Sequence, residues 1–350
     1  MIQRKQVTSQ DVALRAGVSR TTVSLVLNNK HELSQISPKT AQRVIRAAQE
    51  LGYVPNAAAQ ALVNKKASVI GLVLSRSHHQ ISSDVYLTQV VDALMLEAHQ
   101  NQMRVLLDVL ENHEDRNSYQ RLIQGRLVDG ILFSGPRTDD RALDLLAKMD
   151  FPTVLMGGLP GSPFYSVDID NIQAAKLATQ HLISLGHQRI GCITNATPVF
   201  TAAADRLRGY RLALQENHLP IDDRLVRFGD FDPPSGYRAM QGLLSVQPNP
   251  TAVFVASDVV AYGAMSALHD AGKNIPEDVA IVSMDDVPLS AFISPRLTSV
   301  HLPNSKLAQS AGSLLIDLIN GNRPARKQII LDTHLVIRES CGSQLRMNSQ

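Results

Sequence analysis

The sequence predicts an α/β protein: a small all-α head at the N-terminus, and behind it a two-lobed, Rossmann-like body. Three observations carry that prediction. Residues 7–27 form two short helical runs broken by a glycine, and from Ser68 onward short apolar runs alternate with helical stretches, which is the pattern of βαβ units on parallel sheets. Charge is also segregated. Residues 1–66 hold ten Lys and Arg against three Asp and Glu, while the rest of the chain holds 24 against 29. A basic head on an acidic body is the electrostatic footprint of a molecule whose head alone meets phosphate.

The head begins with a helix-turn-helix over Val7–Leu27. Thr8 caps the first helix by accepting the Asp11 N–H, and the Asp11 carboxylate suits the positive helix start. Val12, Ala13 and Ala16 line one face. Gly17 supplies the left-handed turn, Val18 plugs the corner and Ser19 caps the second helix. On that helix Val23, Val26 and Leu27 turn inward, leaving Arg20, Thr21, Ser24 and Leu25 outward with Thr22 beside them. Such a face fits a major groove: Arg can grip guanine bidentately, Thr and Ser hydrogen-bond adaptably, and Leu can meet a thymine methyl. These five residues are the candidate base contacts. A helical hairpin packed into a larger core is the rival reading.

A third helix starts at Ser37-Pro38, carries Ala41, Val44, Ile45, Ala48 and Leu51 at helical spacing, and stops at Gly52 before Pro55. Asn56–Asn64 is an alanine-rich helix too short to persist alone, which should order only against a partner or DNA. Small Ala59 lets two copies approach, and Leu62 can wedge a base step. Thr8, Ser19, Asn28, Lys39 and Lys65 are the candidate phosphate contacts, with Arg4, Lys5, Lys30, Arg43, Arg46 and Lys66 adding to the field.

The body offers strands from Ser68, Met103, Asp129 and Pro152, then a second set from Arg189, Arg224, Thr251 and Val279. Two sets of four imply two Rossmann-like halves. Ligands of open α/β sheets bind off the carboxyl ends of the strands, so the loops there should converge on an interlobe cleft. Ser257, Asp258 and Asp285 follow such strands, Arg206 opens a helix after one, and Tyr86 is a candidate wall. Asp258 reads as a helix-start cap.

With 44% apolar and 19% charged residues the chain is globular, and its 350 residues call for more than one domain. Cys192 and Cys341 stand far apart with no metal spacing, and no signal peptide or long apolar run precedes the fold. That excludes a metal centre and a membrane, and places the expected site of action in the cytoplasm. An enzyme would need a catalytic constellation. There is no Walker loop, no G-x-S-x-G elbow and no H-E-x-x-H helix; His78 and His79 are adjacent rather than at ligand spacing, and no cofactor motif occurs. The 11-residue tail Ser340–Gln350 carries no heptads, so no C-terminal coiled coil is expected from it.

From Val7 to about Glu339 the sequence resembles the LacI/GalR family of bacterial transcription regulators. The resemblance rests on DVALRAGVSRTTVSLVLN from Asp11, ELGYVPNAAAQAL from Glu50, LGHQRIGCI from Leu185 and IPEDVAIVSMDD from Ile275. It implies a hinge helix whose Asn56, Ala59 and Leu62 enter the minor groove of a pseudo-palindromic operator bound by a dimer. The body would be a periplasmic-binding-protein-like effector domain. Arg206, Asp285, Ser257 and Tyr86 would hold a small polar effector, carbohydrate or nucleoside-like, and the default action would be repression. A protein co-repressor and an exported solute-binding protein are the alternatives. The implied domains are 1–55 for the head, 56–66 for the hinge, 67–167 with 301–327 for the first lobe, and 168–300 with 328–343 for the second. This sequence departs from the family pattern at Leu25, where many members carry an arginine, and in a longer Asn29–Ile36 turn. It departs again at Ser283-Met284 in place of Gly-aromatic, and at Gly157 in place of an Asp found in some sugar-binding members. No tryptophan is present to stack on a sugar.

Overall fold

The structure, a computed structural model, describes residues 7–28, 35–54, 66–109, 122–140 and 143–343. The expectations for Arg4, Lys5, Lys30, Asn56, Ala59, Leu62 and Lys65 lie outside the described residues. The chain divides into two compact units, Met1–Ser68 and Val69–Gln350.

In the first unit α1 (Ser9–Ala16), α2 (Arg20–Leu27) and α3 (Pro38–Leu51) begin and end where their capping residues dictate. Thr8 and Asp11 form a reciprocal capping box: the Thr8 N–H donates to the Asp11 carboxylate at 2.8 Å while the Thr8 hydroxyl accepts the Asp11 N–H at 3.4 Å. Ser19 and Ser37 accept from Thr22 and Thr40 at 3.1 and 3.2 Å. Gly17, at φ 64, makes the corner in a conformation that a Cβ would strain. Val12, Ala13, Ala16, Val23, Val26, Ala41, Val44, Ala47 and Ala48 close the mini-core. Ile45, expected inside, is 41% exposed. With only small residues inward on α3, the packed stripe is narrow, and the β-branched Ile45 falls on its rim. Glu50 ties the helices by accepting from Arg15 at 2.8 Å and Arg46 at 3.2 Å, and the Arg15 guanidinium holds its carboxyl below the usual range.

The second unit holds two six-stranded sheets. The first is ordered β11-β5-β4-β3-β1-β2, from β1 (Val69–Leu74), β2 (Arg104–Val109), β3 (Gly130–Ser134), β4 (Thr153–Met156), β5 (Tyr165–Ile169) and β11 (Gln328–Leu331). The second is ordered β12-β10-β9-β8-β6-β7, from β6 (Ile190–Thr194), β7 (Val226–Phe228), β8 (Ala252–Val255), β9 (Ala280–Asp285), β10 (Thr298–His301) and β12 (His334–Val336). Every pairing is parallel except β10 with β12. Central strands such as β3, β6 and β9 are buried along their whole length, as strands covered by helices on both faces must be. Edge strand β2 leaves Leu106 and Leu107 exposed.

Three expectations are corrected here. Each sheet has six strands rather than four, because YSVDI and TSVH join as β5 and β10 and the C-terminal segment adds β11 and β12. β5 and β10 are short and polar, and their buried groups are satisfied individually. Thr298, for example, donates its N–H to the Ser340 hydroxyl at 2.9 Å and accepts the Arg338 N–H at 2.9 Å. The sequence also predicts a single strand over 329–337 belonging to the second lobe, and this is really two strands: β11 pairs with β5 in the first sheet and β12 with β10 in the second. The supposed boundary at 167/168 cuts through β5, which stays in the first sheet to Ile169. The chain therefore crosses between lobes three times, after β5, after β10 and after β11. Helix α11 (Asn304–Ile319) packs on β3, β4 and β5 of the first lobe.

Candidate nucleic-acid face and interlobe cleft

On α2 the candidate reading residues form one edge. Arg20 and Thr21 are exposed, while Thr22, Ser24 and Leu25 are half-buried. Two of the candidates also serve the helix itself. The Thr22 hydroxyl meets that of Ser19 at 2.9 Å, and the Asn28 side-chain amide donates to the Ser24 carbonyl at 2.8 Å, closing the C-terminus. Lys39 stands exposed at the start of α3 beside the cap residue Ser37.

The second unit carries a cleft of about 750 Å³ of atom-free space, counting its solvent-open part, between the two lobes. Arg206, Asp285, Ser257 and Tyr86 all line it. Arg206 rises from α8 (Thr201–Glu216). Its Nε donates to Asn171 Oδ1 at 2.9 Å, and its Nη1 donates to the Ala256 carbonyl at 2.6 Å and lies 3.9 Å from Asp285. Asp285 ends β9 with φ 113 and is followed by Asp286 at φ 54. Two non-glycine residues in succession at positive φ mark a backbone held by its surroundings.

Those surroundings are polar. Asp286 forms an ion pair with Arg338 at 2.7 Å and faces His301 Nδ1 at 3.0 Å. Asp258, at the start of α10 (Asp258–Asp270), was expected to cap that helix; instead its carboxylate gathers the hydroxyls of Ser283, Ser290 and Ser299 and the Val287 N–H. A carboxylate with four donors from the β9 and β10 neighbourhood pins the loop that presents Asp285. Burial pushes the Asp258 carboxyl up to about 7, with Asp285 adding repulsion, and burial pushes Asp285 up as well against the opposing pull of Arg206. Ser283, a departure from the family pattern, is thus a structural hydroxyl, and Met284 is core.

Several cleft residues had no signal in the sequence. Arg76, after β1, pairs with Asp84 and lies over the Phe231 ring at 4.1 Å, and burial pulls its guanidinium down to about 10. Phe200 meets Phe231 edge to face at 5.0 Å. These rings supply the aromatic surface that the missing tryptophan seemed to deny. Tyr86 faces the same Arg76 at 5.8 Å, and burial pushes its phenol up to about 12. Asn195 follows β6 and Asp168 lies in β5. Among the described residues, Asn195 Oδ1 and Arg76 Nε are buried without a hydrogen bond. Only strand-end position could have flagged these residues, and β5 was itself unseen. Gly157 lines the cleft at φ 116, where an added Cβ would come within 2.7 Å of the Pro136 ring, so this backbone admits no side chain there.

A capped helix-turn-helix and a two-lobed α/β unit with a polar, aromatic-walled cleft define a DNA-binding regulator built on a binding-protein body. Residues 8–56 match the model for bacterial regulatory proteins of the lacI family, and residues 179–341 match that for the periplasmic binding protein-like domain. The HTH-type transcriptional regulator CelR of Thermobifida fusca is 35% identical over 343 residues, covering 97% of this chain and all of that protein. The HTH-type transcriptional repressor PurR of Klebsiella pneumoniae (strain 342) is 33% identical over 337 residues, covering 95% and 96%. A solved CelR–cellobiose complex has a TM-score of 0.74 at 34% identity, covering 96% of this chain and all of that one. The lac repressor dimer bound to operator and the anti-inducer ONPF has a TM-score of 0.83 at 29% identity, covering 96% and 99%. The chain belongs to the LacI family of bacterial transcriptional regulators. Its relatives are regulators and not enzymes. Among the described residues no helix is long and apolar enough to cross a membrane.

Proposed function

We propose that this chain is a cytoplasmic repressor that binds a pseudo-palindromic operator as a homodimer and is controlled by a small polar effector in the interlobe cleft. The observation that carries the effector half is the cleft itself. Arg206, Asp285 and Ser257 converge there with orphaned polar atoms of Asn195 and Arg76 beside the Phe200 and Phe231 rings. Buried polar atoms without partners cost free energy that a hydrogen-bonding ligand can recover, and aromatic edges beside them suit a sugar or a base. The likeness to a regulator solved with cellobiose and to purine-named repressors supports a carbohydrate or nucleoside-like compound.

For the DNA half, Arg20 and Thr21, with Ser24, Leu25 and Thr22, supply base contacts, and Asn56, Ala59 and Leu62 of the hinge supply the minor-groove wedge. Thr8, Ser19, Asn28, Lys39 and Lys65 supply phosphate contacts. Dimerisation is supported by apolar side chains left exposed on this part of the first lobe, Met95 and Leu96 on α5 (Val85–Gln100) and Leu106 and Leu107 on edge strand β2, which α5 packs against.

The test joins both halves. Operator fragments are selected from genomic DNA with the full chain, and a thermal-shift screen of sugars, sugar phosphates, nucleosides and purines identifies the effector. A ligand at 100 times its Kd should add about 2.7 kcal/mol of stability. Arg206→Ala and Asp285→Ala should then abolish the effector's influence on operator binding while leaving operator affinity without it nearly unchanged. If both variants fold and respond normally, the cleft assignment fails, and a protein partner docking on the body takes its place.

A further inference from the structure

The cleft presents three carboxylates, and two are already committed. Asp84 is paired with Arg76 and accepts the Tyr86 N–H at 3.0 Å. Asp285 faces Arg206 and takes the Asp258 N–H at 3.3 Å and the Ser257 hydroxyl. Asp168 differs. Its Oδ1 accepts from the Ile169 N–H at 2.8 Å and from the Asn171 amide at 3.1 Å, its Oδ2 accepts only from the Gly158 N–H at 2.7 Å, and no cation pairs with it among the described residues. A carboxylate oxygen has room for more than one donor. Position adds to the argument. Met156 pairs with Val167, so Asp168 lies across from Gly157, the residue whose backbone and Pro136 neighbour exclude a side chain. The Asp168 side chain thus reaches the cleft over a bare patch of β4. It also lies just before the β5 crossover, where a contact bears on how the two lobes are held.

Taking the cleft as the effector site, we infer that Asp168 is a specificity-determining carboxylate that accepts a hydrogen bond from an effector hydroxyl and admits neutral, donor-rich ligands over anionic ones. Burial pushes this carboxyl up to about 6, with the Ile169 and Gly158 N–H groups, Arg206 and Asn171 opposing the shift. The other charged or titratable groups around it are Tyr86, Arg76, Asp84 and Asp285 in the same cleft, and Asp170, Asp205 and Lys327 in the neighbouring cavity that Asp168 also lines. A hydroxyl donated to the carboxylate favours its ionised form, so effector binding releases a proton and affinity rises with pH through the region around 6.

The test is titration calorimetry of the full chain with cellobiose, glucose, ribose and adenosine as neutral probes, and gluconate and glucose 6-phosphate as anionic ones, at pH 5 and pH 7.5. At least one neutral probe should bind the wild type about fivefold more tightly at pH 7.5 than at pH 5, the change that lowering the carboxyl by about one pKa unit on binding produces over this interval. Asp168→Asn should lose about tenfold at pH 7.5, flatten that profile and narrow the gap between neutral and anionic probes. Asp168→Asn binding with wild-type affinity and profile overturns the inference while leaving the cleft assignment standing. If no probe binds the wild type, the carbohydrate or nucleoside reading fails, and this inference with it. If Asp168→Asn does not fold, carbon-13 titration of the wild-type Asp168 carboxyl decides. A midpoint lowered by saturating probe supports the role, and an unmoved one overturns it.

Discussion

The head and the cleft carry the two candidate sites of this chain, and they are built in opposite ways. The candidate reading edge of the head comes from five residues within the six-residue span 20–25, on a helix capped by its own neighbours. The cleft takes Arg76, Asp168, Asn195, Arg206, Phe231 and Asp285 from six places spread over more than 200 residues. One surface is local and partly open to solvent, with Arg20 and Thr21 exposed. The other is non-local and buried, so each charge there must be satisfied by a partner brought from elsewhere, or by a ligand.

The largest expected effect lies in the head's core. Val12 is fully buried among small side chains, so Val12→Asp should unfold the first unit and abolish operator binding. In calorimetry the thermal transition of the second unit should persist unchanged. Loss of both transitions together would show that the two units do not fold independently.

Acid should act on the two regions with opposite sign. The raised carboxyls Asp258, near 7, and Asp168, near 6, hold protons in the fold that the unfolded chain has already released. Their contribution is fully present below the unfolded value and is lost as pH rises through about 6 to 7. Glu50 in the head is lowered, so its contribution is present above the unfolded value of 4.5 and is lost only as pH falls below it. Moving from pH 7.5 to pH 5 should therefore raise the second unit's Tm and leave the first nearly still. Asp258→Asn should blunt the rise, and a second-unit Tm that falls over this interval would contradict the scheme.

Smaller effects sharpen the picture of the head. Arg20→Ala should cost about 1 to 3 kcal/mol at one base pair of each half-site if the guanidinium reads guanine, measured by comparing operator variants in gel shifts. An equal loss on specific and random DNA would reduce Arg20 to a phosphate contact. The smallest is Thr8→Ala. Removing one half of the capping box should lower the head's stability by about 1 kcal/mol without changing which operator is chosen.

What the sequence determined by itself is what depends on near neighbours. Thr8, Gly17, Ser19, Ser37 and Gly52 set the ends of the three head helices because caps act within three or four residues. The long apolar runs of β1, β3, β6, β8 and β9 announced buried parallel strands for a similar reason, since burial on both faces leaves no alternation to misread. Asp285 was expected in the cleft from a motif that the family resemblance covers and Arg206 from a family position at a helix start after a strand, and both line the cleft. What the tertiary structure alone decided lies where polar residues are satisfied at a distance. β5 and β10 are short and polar in sequence, and become core strands only once Ser340, Arg338 and Lys327 meet them. Asp258 reads locally as a cap and turns out to organise Ser283, Ser290 and Ser299 from 25 to 41 residues away. Arg76, Phe231, Asn195 and Asp168 become a site only because three crossings of the chain bring two sheets face to face. A side chain's sequence neighbours specify its helix or strand, but its charge, its protonation and its access to a ligand are set by atoms that only the folded chain puts beside it.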